Sequence, residues 1–342
     1  MSEELSGRKI TLAHGSGGAE TAELIKNIFF KAYGNDFLSQ AEDAALLSGC
    51  GRLAMTTDSF VVDPVFFPGG DIGRLAVCGT VNDLLTRGAV PKYLSAGFII
   101  EEGFETDRLE KIAKSMAETA KEAGIGIVTG DTKVIGGSGG IYINTTGVGF
   151  IPESMSDEKI PCSGRIQTGD RIILSGNLGD HHAAILSKRL GFENDIASDV
   201  APLVKMTEAV AARADVHAMR DVTRGGLATI LSEIAEKTGK CLEIEEDKLP
   251  VSAAVRSFSA LLGLDPLYMG NEGKMVFFVP ENEAEEVLDI IRKSPYGENA
   301  GIIGQVKEAS DENEKGRLVL LTEIGGRRSL AALIGEGLPR IC

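Results

Sequence analysis

The amino-acid sequence predicts an α+β protein of two domains followed by a short tail. Its 342 residues are more than one hydrophobic core usually serves. Helical and strand-like patterns both recur along the chain, and strands are few in the first half. A polar segment that carries proline and glycine, residues 152–169, is the best candidate for a boundary. We therefore expect domains at 1–154 and 155–333 and a tail at 334–342.

Local patterns define the elements of the first half. Apolar residues three and four positions apart follow one helical face as far as Gly34, which would end that helix. Thr106 would cap a later helix that Gly124 closes. In chain order we predict a helix at 19–33, a strand at 52–66, helices at 71–87 and from Thr106 to Gly124, and strands at 125–129 and 141–151.

Beyond the polar segment, helices and strands are again mixed. A strand is predicted first, at Arg171–Ser175. No fixed-period repeat is present, which argues against a solenoid. Helices are predicted near 180–190, 203–214, 226–237 and 282–293, and strands near 242–246, 275–279, 301–307 and 317–322.

The charge and composition of the chain argue against several classes of function. The net charge is −15, and an acidic protein repels the phosphate backbone of nucleic acids. No apolar run reaches the roughly 18 residues that span a membrane, and the N-terminus lacks the apolar core of a signal peptide. The chain has five cysteines, an odd number, and no two of them form a CxxC motif. We expect a cytoplasmic protein with free thiols and with neither a nucleic-acid nor a membrane partner.

Several familiar site motifs are absent or incomplete. The 42 glycines are clustered, which is typical of ligand-binding loops but is explained equally well by surface turns. Neither a GxxxxGK(S/T) P-loop nor a GxGxxG fingerprint occurs. The run Gly136–Gly140 matches the GxSxG nucleophile elbow, but a strand pattern follows it where a helix is required, which argues against a serine hydrolase. His181 and His182 point about 100° apart on a helix and cannot share a metal as an i, i+4 pair would.

A set of aspartates stands at loops and element ends among small or polar residues. Carboxylates dispersed in this way suit a hard cation such as Mg²⁺ that is shared with a polyphosphate. Two like charges about 4 Å apart cost roughly 4 kcal/mol at an effective dielectric constant of about 20, so converging carboxylates and phosphates need that cation. The alternative that each aspartate only caps a helix or makes a turn stays open. The candidates are Asp43, Asp58, Asp83, Asp131 and Asp221.

Asp131 has an additional feature, because Lys133 follows two residues later. Side chains at i and i+2 of an extended segment share a face. A metal-binding carboxylate and a cation could therefore meet the same phosphate.

The last residues are unusual in composition. Gly335 and Gly337 would act as a hinge, and Pro339 would stiffen the segment that ends in Cys342. Eight extended residues reach roughly 26–29 Å. Such a tail is expected to be mobile and could carry the thiol between two sites. Beside a carboxylate, Cys342 should be no more acidic than a free thiol, with a pKa of about 8.5, so it suits a carrier better than a self-activated nucleophile.

Seven segments form a combination of motifs that covers essentially the whole chain. They are Thr56–Val62, Phe66–Gly73, Gly79–Leu84, Gly130–Val134, Asp221–Leu227, Asn271–Lys274 and Pro339–Cys342. In these segments the chain strongly resembles the HypE family of hydrogenase maturation proteins, within the wider superfamily of aminoimidazole ribonucleotide synthetases (PurM-like proteins). The combination is highly specific.

The resemblance implies an ATP-dependent carbamoyl dehydratase. ATP would phosphorylate the oxygen of a carbamoyl group on Cys342, and loss of phosphate would leave a thiocyanate, the source of cyanide for the iron of NiFe-hydrogenase. Lys133 would stabilise the transferring phosphoryl group, and Glu272 would be the base. For Glu272 a structural ion pair is the alternative. The five aspartates above would hold Mg²⁺, and the residues implied in ATP binding are His14, Gly15, Gly17, Gly18, Asn82, Lys133, Arg224 and Gly225.

The resemblance also implies an architecture and partners. The N-terminal mixed sheet would pair across a homodimer into a barrel, and the C-terminal domain would be an α/β sandwich. HypF would donate the carbamoyl group, and a HypC–HypD iron-scaffold complex would accept the cyanide.

Two other functions remain open from the sequence. A relative that acts on a free small molecule would have no need of Cys342. A selenophosphate synthetase would need a reactive cysteine in its N-terminal loop, and no cysteine occurs before Cys50. A scaffold or carrier would use the glycine loops and the tail for docking only. ATP hydrolysis above background separates the enzymes from the scaffold.

Overall fold

The structure is a computed structural model that describes residues 9–11, 14, 24–35, 51–309 and 314–333. From residue 24 onward, the chain begins with a π-helical stretch, Ile25–Phe30, continued by an α-helical turn, Lys31–Tyr33, that stops at Gly34 as predicted. No helix among the described residues is long and apolar enough to cross a membrane. The predicted tail at 334–342 lies outside the described residues.

A four-stranded mixed sheet organises the first half. Its strand order is β1–β6–β4–β5, with β1, β6 and β4 antiparallel and β4 parallel to β5. The parallel pair is connected by helix α2, as a βαβ unit requires. The elements are β1 (Leu53–Phe60), a short β2–β3 ladder (Phe66–Phe67 and Gly70–Asp71), α1 (Ile72–Leu85), β4 (Val90–Glu101), α2 (Thr106–Ala123), β5 (Gly126–Ile135) and β6 (Ile141–Phe150).

Helix α1 is the central element of this half. Asp71 caps it by accepting the backbone N–H groups of Gly73 and Arg74 at 2.7 and 3.0 Å. A Cβ at Gly73 would lie 2.5 Å from the carbonyl oxygen of Ile112, so the absence of a side chain there lets α1 and α2 approach closely. Twelve of its 14 residues are buried, which leaves α1 between the sheet and the second half of the chain.

The opposite face of the four-stranded sheet is not covered by α1 or α2. Five large apolar side chains on its strands are exposed by two fifths or more of their area. Leu53, Met55 and Val90 lie at one end of the face, and Ile99 and Ile135 lie at the other. Exposed apolar clusters on a sheet are typical of a surface that another protein covers.

A seven-stranded sheet organises the second half, in the order β13–β12–β9–β11–β7–β10–β8. Only the β9–β12 pair is parallel. Every residue of β10 is buried, because helices cover both faces of the sheet. The strands are β7 (Arg171–Leu174), β8 (Ala218–Asp221), β9 (Cys241–Glu245), β10 (Met275–Val279), β11 (Gly301–Lys307), β12 (Leu318–Leu321) and β13 (Arg327–Leu330). The helices are α3 (Asp180–Leu190), α4 (Val204–Ala211), α5 (Gly226–Thr238), α6 (Ala253–Leu262) and α7 (Ala284–Lys293).

Most predicted elements are confirmed, with several corrections. The strand predicted at 52–66 ends at Phe60, where a turn with a cis peptide bond before Pro64 follows. The strand predicted at 125–129 continues to Ile135. Thr106 is the first helical residue of α2 and Glu105 is the cap position. The sequence patterns missed β4, β8, α6 and β13.

Candidate functional site

A cavity of about 240 Å³ lies where the two sheets approach each other. Its wall comes from β1 and α1 of the first half, from the end of β8 and the turn after it, and from the residues that precede β10. The lining residues are Thr57, Asp58, Ser59, Phe60, Gly79, Asp83, Arg220, Asp221, Thr223, Arg224 and Glu272.

The fold brings three of the predicted aspartates into this wall. Asp58 lies on β1, and Thr56, two residues earlier on the same face, donates a hydrogen bond of 2.8 Å from its hydroxyl to Asp83 on α1. Gly79 stands one helical turn before Asp83, and a Cβ there would lie 2.9 Å from the ring of Phe60. The glycine therefore lets the Phe60 ring of β1 pack directly against α1, one turn before Asp83.

The carboxylates of the wall repel one another. Burial first, and then repulsion by Asp83 and Asp58, raises the pKa of Asp221 to about 6. Burial and the charge of Asp58 likewise raise the pKa of Asp83. Burial, with repulsion by Asp199, Asp221 and Asp58, raises the pKa of Glu272 well above its usual range. A bound cation would relieve this repulsion.

The donor set fits Mg²⁺ shared with a polyphosphate. Among the described residues, no group of three acidic, histidine or cysteine side chains is arranged to hold a metal by itself. Mg²⁺ is usually held by one or two carboxylates together with substrate phosphates, so a complete protein cage is not required. Asp58, Asp83 and Asp221 could supply the hard oxygen ligands that this ion prefers.

Groups that can bind phosphate, a basic side chain and backbone N–H groups, lie at the same cavity. Arg224 is exposed at the cavity wall, and Gly225, with φ of 77°, precedes the first turn of α5. The N-terminus of a helix presents unpaired N–H groups that favour phosphate. The cavity thus carries both the ligands of a cation and donors for its anion.

Asp131 and Lys133 lie elsewhere. They share a face of β5, as predicted, and form an ion pair of 3.0 Å with both side chains about two-thirds exposed. The register places Asp131 in one row with Gly97, Asn144 and Ser59 across the sheet. Three strand spacings, roughly 14 Å, separate Asp131 from Ser59 at the cavity. Within one chain, Asp131 and Lys133 do not line the cavity.

Asn82 also does not line the cavity. Its side-chain amide donates to the carbonyl oxygens of Ala201 at 3.0 Å and Glu272 at 3.4 Å, and its oxygen accepts the N–H of Leu203 at 3.0 Å. These contacts inside the protein leave the buried side chain little to offer a nucleotide. Asn82 therefore joins the two halves of the chain, and its role in ATP binding stays a prediction.

The N-terminal loop is described only in part. His14 accepts the N–H of Thr11 on Nδ1 at 3.1 Å, which in the neutral ring places the proton on Nε2. The other predicted residues of this region and of the tail lie outside the described residues, namely Gly15, Gly17, Gly18, Asp43 and Cys342.

The loop Gly136–Gly140 binds a carboxylate of the protein itself. Glu101 accepts the backbone N–H groups of Ser138 and Gly140 at 2.7 and 2.9 Å. A Cβ at Gly137 would lie 2.3 Å from the Glu101 side chain, so a side chain there would displace it. Strand β6 follows directly, and the prediction against a nucleophile elbow is confirmed.

Sequence reasoning missed the residues behind the cavity. Asp199 accepts the backbone N–H of Glu272 at 3.0 Å and pairs with Lys274 at 3.0 Å. Lys274 closes the Asn271–Lys274 motif, but Asp199 belongs to no motif. The only signal for Asp199 was an aspartate in an otherwise apolar stretch before Leu203.

Comparison with known proteins finds relatives of one family that match this chain over almost its whole length. The model of the N-terminal domain of AIR synthase related proteins matches residues 41–151, and that of their C-terminal domain matches residues 167–316. The carbamoyl dehydratase HypE of Rhodobacter capsulatus is 46% identical over 346 residues, 99% of each chain. HypE of Escherichia coli K12 is 44% identical and covers 97% of this chain and 99% of its own.

Comparison with solved structures finds proteins of the same family. A crystal structure of the hydrogenase maturation protein HypE in complex with ATP has a TM-score of 0.92 at 46% identity, over 97% of this chain and 99% of that one. A HypE–HypF complex contains a chain with a TM-score of 0.77 at 43% identity, over 92% of this chain and all of that one. A thiamine-monophosphate kinase from Stenotrophomonas maltophilia, 21% identical, over 82% of this chain and 89% of its own, shares the fold, with a TM-score of 0.62.

Proposed function

Because this chain belongs to the HypE family of carbamoyl dehydratases, we propose that it uses ATP to dehydrate an S-carbamoyl group on its own Cys342 to an S-cyano group. The observation that carries the proposal is the cavity wall, in which mutually repelling carboxylates and Arg224 surround a space that suits Mg²⁺ and phosphate. The HypE structure solved with ATP supports nucleotide binding.

The residues of the cavity have distinct tasks in this reaction. Asp58, Asp83 and Asp221 would hold Mg²⁺, which when bound neutralises the phosphate charge. Arg224 and the backbone N–H groups at the start of α5 would orient the phosphates. The proposed division of the chain at residue 154 puts the first two aspartates in one domain and Asp221 in the other, so the nucleotide would bind between domains.

The chemistry removes the elements of water from the carbamoyl group in two steps. The amide oxygen of S–CO–NH₂ accepts the γ-phosphoryl group, the bond from that phosphorus to the ADP oxygen breaks, and one N–H proton leaves. The C–O bond to phosphate then breaks, the second N–H proton leaves, and the remaining electrons form the C≡N bond. The products are S–C≡N, ADP, phosphate and a proton.

Glu272 is positioned to take a proton from the amide nitrogen. It lines the cavity, and its residue surface is only 4% exposed. Burial raises its pKa, so that once ionised it is a stronger base than an exposed glutamate. The proton would be held on its carboxylate until phosphate leaves.

A homodimer would complete the site. Two copies that cover the exposed face of the four-stranded sheet would bury Leu53, Met55, Ile99 and Ile135. If the two-fold axis runs parallel to the strands, face-to-face packing brings the β5 edge of one sheet toward the β1 edge of the other. Lys133 of one copy would then reach the cavity of its partner and stabilise the transferring phosphoryl group.

The partners follow from the same chemistry. The solved HypE–HypF complex supports HypF as a partner, and HypF would donate the carbamoyl group. The S-cyano group would pass to a HypC–HypD complex that carries the iron of NiFe-hydrogenase. Transfer of the cyano carbon to the iron as cyanide releases the Cys342 thiolate and takes two electrons, which the acceptor complex would supply.

The test is the dependence of ATP turnover on Cys342. The Cys342→Ala variant should bind ATP as the wild type does, and it should lose the ADP formation that a HypF carbamoyltransferase and carbamoyl phosphate stimulate. Isothermal titration measures the first and a coupled assay the second. Full stimulated turnover in Cys342→Ala would show that the substrate is a free molecule, as in other enzymes of this fold.

A further inference from the structure

A buried ion pair lies directly behind Glu272. The side chains of Asp199 and Lys274 are 4% and 7% exposed, and Asp199 Oδ2 lies 3.0 Å from Lys274 Nζ. Oδ2 has no hydrogen bond of good geometry to any described residue, so this ion pair compensates its charge. A Cβ at Gly176 would lie 2.9 Å from Cε of Lys274, which shows how closely the lysine stem is packed. An ion pair this buried is costly to break.

The other oxygen of Asp199 binds the backbone of Glu272. Asp199 Oδ1 accepts the Glu272 N–H at 3.0 Å. The next residue, Gly273, packs so tightly against the same segment that a Cβ there would lie 1.9 Å from the carbonyl oxygen of Asp199. The backbone at Glu272 is therefore packed closely against the Asp199 segment and held on its N–H side by a charged acceptor.

Asn82 holds the opposite side of the same residue. It donates to the Glu272 carbonyl oxygen at 3.4 Å and binds the backbone of Ala201 and Leu203. Asn82 immediately precedes Asp83, whose carboxylate faces the cavity. The segment 199–203 and Asn82 thus connect the backbone of Glu272 to the helix that carries an aspartate of the cavity.

We infer that Asp199 is a positioning residue for Glu272, locked by Lys274, and that Asn82 fixes Glu272 relative to Asp83. This inference rests on the proposed dehydration, because it concerns the placement of its base. Asp199 does not line the cavity, so it would not touch a substrate bound there. It acts through the Glu272 backbone, and a displacement of about 1 Å in such a group can cost on the order of 100-fold in rate.

Only a carboxylate satisfies this position. Asp199 faces two donors, the Glu272 N–H and the Lys274 ammonium group, and it has an acceptor oxygen for each. An asparagine offers one oxygen and one NH₂ group, so one donor would face another donor. Removing the lysine as well leaves the amide free to turn its oxygen toward Glu272.

The experiment compares Asp199→Asn, the double variant Asp199→Asn/Lys274→Met, and Asp170→Asn. Asp170 is a matched control, since it is also buried, pairs with a basic residue, His217, at 2.8 Å, and lies away from the cavity. For each full-length protein we would measure the unfolding temperature, the Kd for ATP with Mg²⁺, and kcat for ADP formation on the carbamoylated protein.

We expect kcat to fall by about tenfold or more in Asp199→Asn with the Kd for ATP unchanged within about twofold, and to recover in part in the double variant. The Asp170→Asn variant should lose stability and keep kcat. If Asp199→Asn fails to fold, Asn82→Ala tests the second part of the inference, because it removes the contact to the Glu272 carbonyl oxygen and leaves the buried charges paired. It should likewise lower kcat and leave the Kd for ATP unchanged.

Three results would overturn the inference. They are a wild-type kcat in Asp199→Asn, an equal loss of kcat in the Asp170→Asn control, and no recovery in the double variant. Absence of ATP-dependent dehydration in the wild-type protein, run alongside, would instead refute the proposed function.

Discussion

Replacing Asp221 by asparagine should stabilise the metal-free protein and at the same time weaken its binding of ATP with Mg²⁺. The carboxylate of Asp221 is buried beside Asp83 and Asp58, and these surroundings raise its pKa from 3.8 to about 6. At 1.36 kcal/mol per unit, ionised Asp221 costs the folded state about 3 kcal/mol near neutral pH. The asparagine side chain of the variant carries no charge, so up to about this amount is regained.

The sign follows from proton linkage. A group whose pKa is raised in the folded state binds protons more tightly there than in the unfolded chain. Its stabilising contribution is complete below pH 3.8 and is lost as the pH rises through about 6. The stability difference between variant and wild type should therefore be largest above about pH 7 and should shrink toward about pH 4.

The assay is urea denaturation in buffer with a chelator, at several pH values, together with isothermal titration of ATP in the presence of Mg²⁺. We expect the free energy of unfolding of Asp221→Asn to exceed that of the wild type by about 1–3 kcal/mol near neutral pH. The Kd for ATP should rise by about tenfold or more, which corresponds to about 1.4 kcal/mol. A variant that is less stable than the wild type without metal would refute the reasoning from repulsion.

Two further predictions concern the dimer and the second sheet. Mixing Asp83→Asn with Lys133→Ala subunits should restore the turnover that each variant lacks alone, because one of the two sites in the mixed dimer then has both residues intact. A subunit-exchange assay measures this turnover. A mixture as inactive as the separate variants would place Lys133 in the site of its own chain. The side chain of Glu243 is 2% exposed, and burial by itself would raise its pKa. Lys307 and Arg327 outweigh burial and lower the pKa. The stabilisation by ionised Glu243 is therefore present at neutral pH and is lost as the pH falls. Glu243→Gln should therefore cost about 1–3 kcal/mol at neutral pH and less in acid, by urea denaturation; an equal cost at both pH values would contradict the charge argument.

Much of the site could be predicted because its residues stand in recognisable local contexts. Asp58, Asp83 and Asp221 lie at element ends or among small residues, and Glu272 lies in a motif of the family. Their convergence is confirmed by the cavity. The helices with clear apolar faces, such as α2, and the buried strand β10 were also predicted, since burial on one face or on both leaves a direct trace in the sequence.

What the sequence could not give depends on contacts between distant segments. Asp131 and Lys133 share a face as the i, i+2 rule requires, but local spacing does not encode the strand order that puts β5 at the edge away from β1. Strand β4 was missed because Pro91 and Gly97 are unfavourable in strands. The role of Asp199 follows only from the tertiary contact with Glu272.

The central claim is that the chain dehydrates a carbamoyl group on its own Cys342, and mass spectrometry of the peptide that carries this residue tests it most directly. The protein would first be carbamoylated by a HypF carbamoyltransferase and freed of nucleotide. ATP and Mg²⁺ would then be added alone. We predict that the peptide loses the mass of one water, in step with the ADP formed. A peptide that keeps its carbamoyl group, or returns to the free thiol while ATP is consumed, would contradict the account.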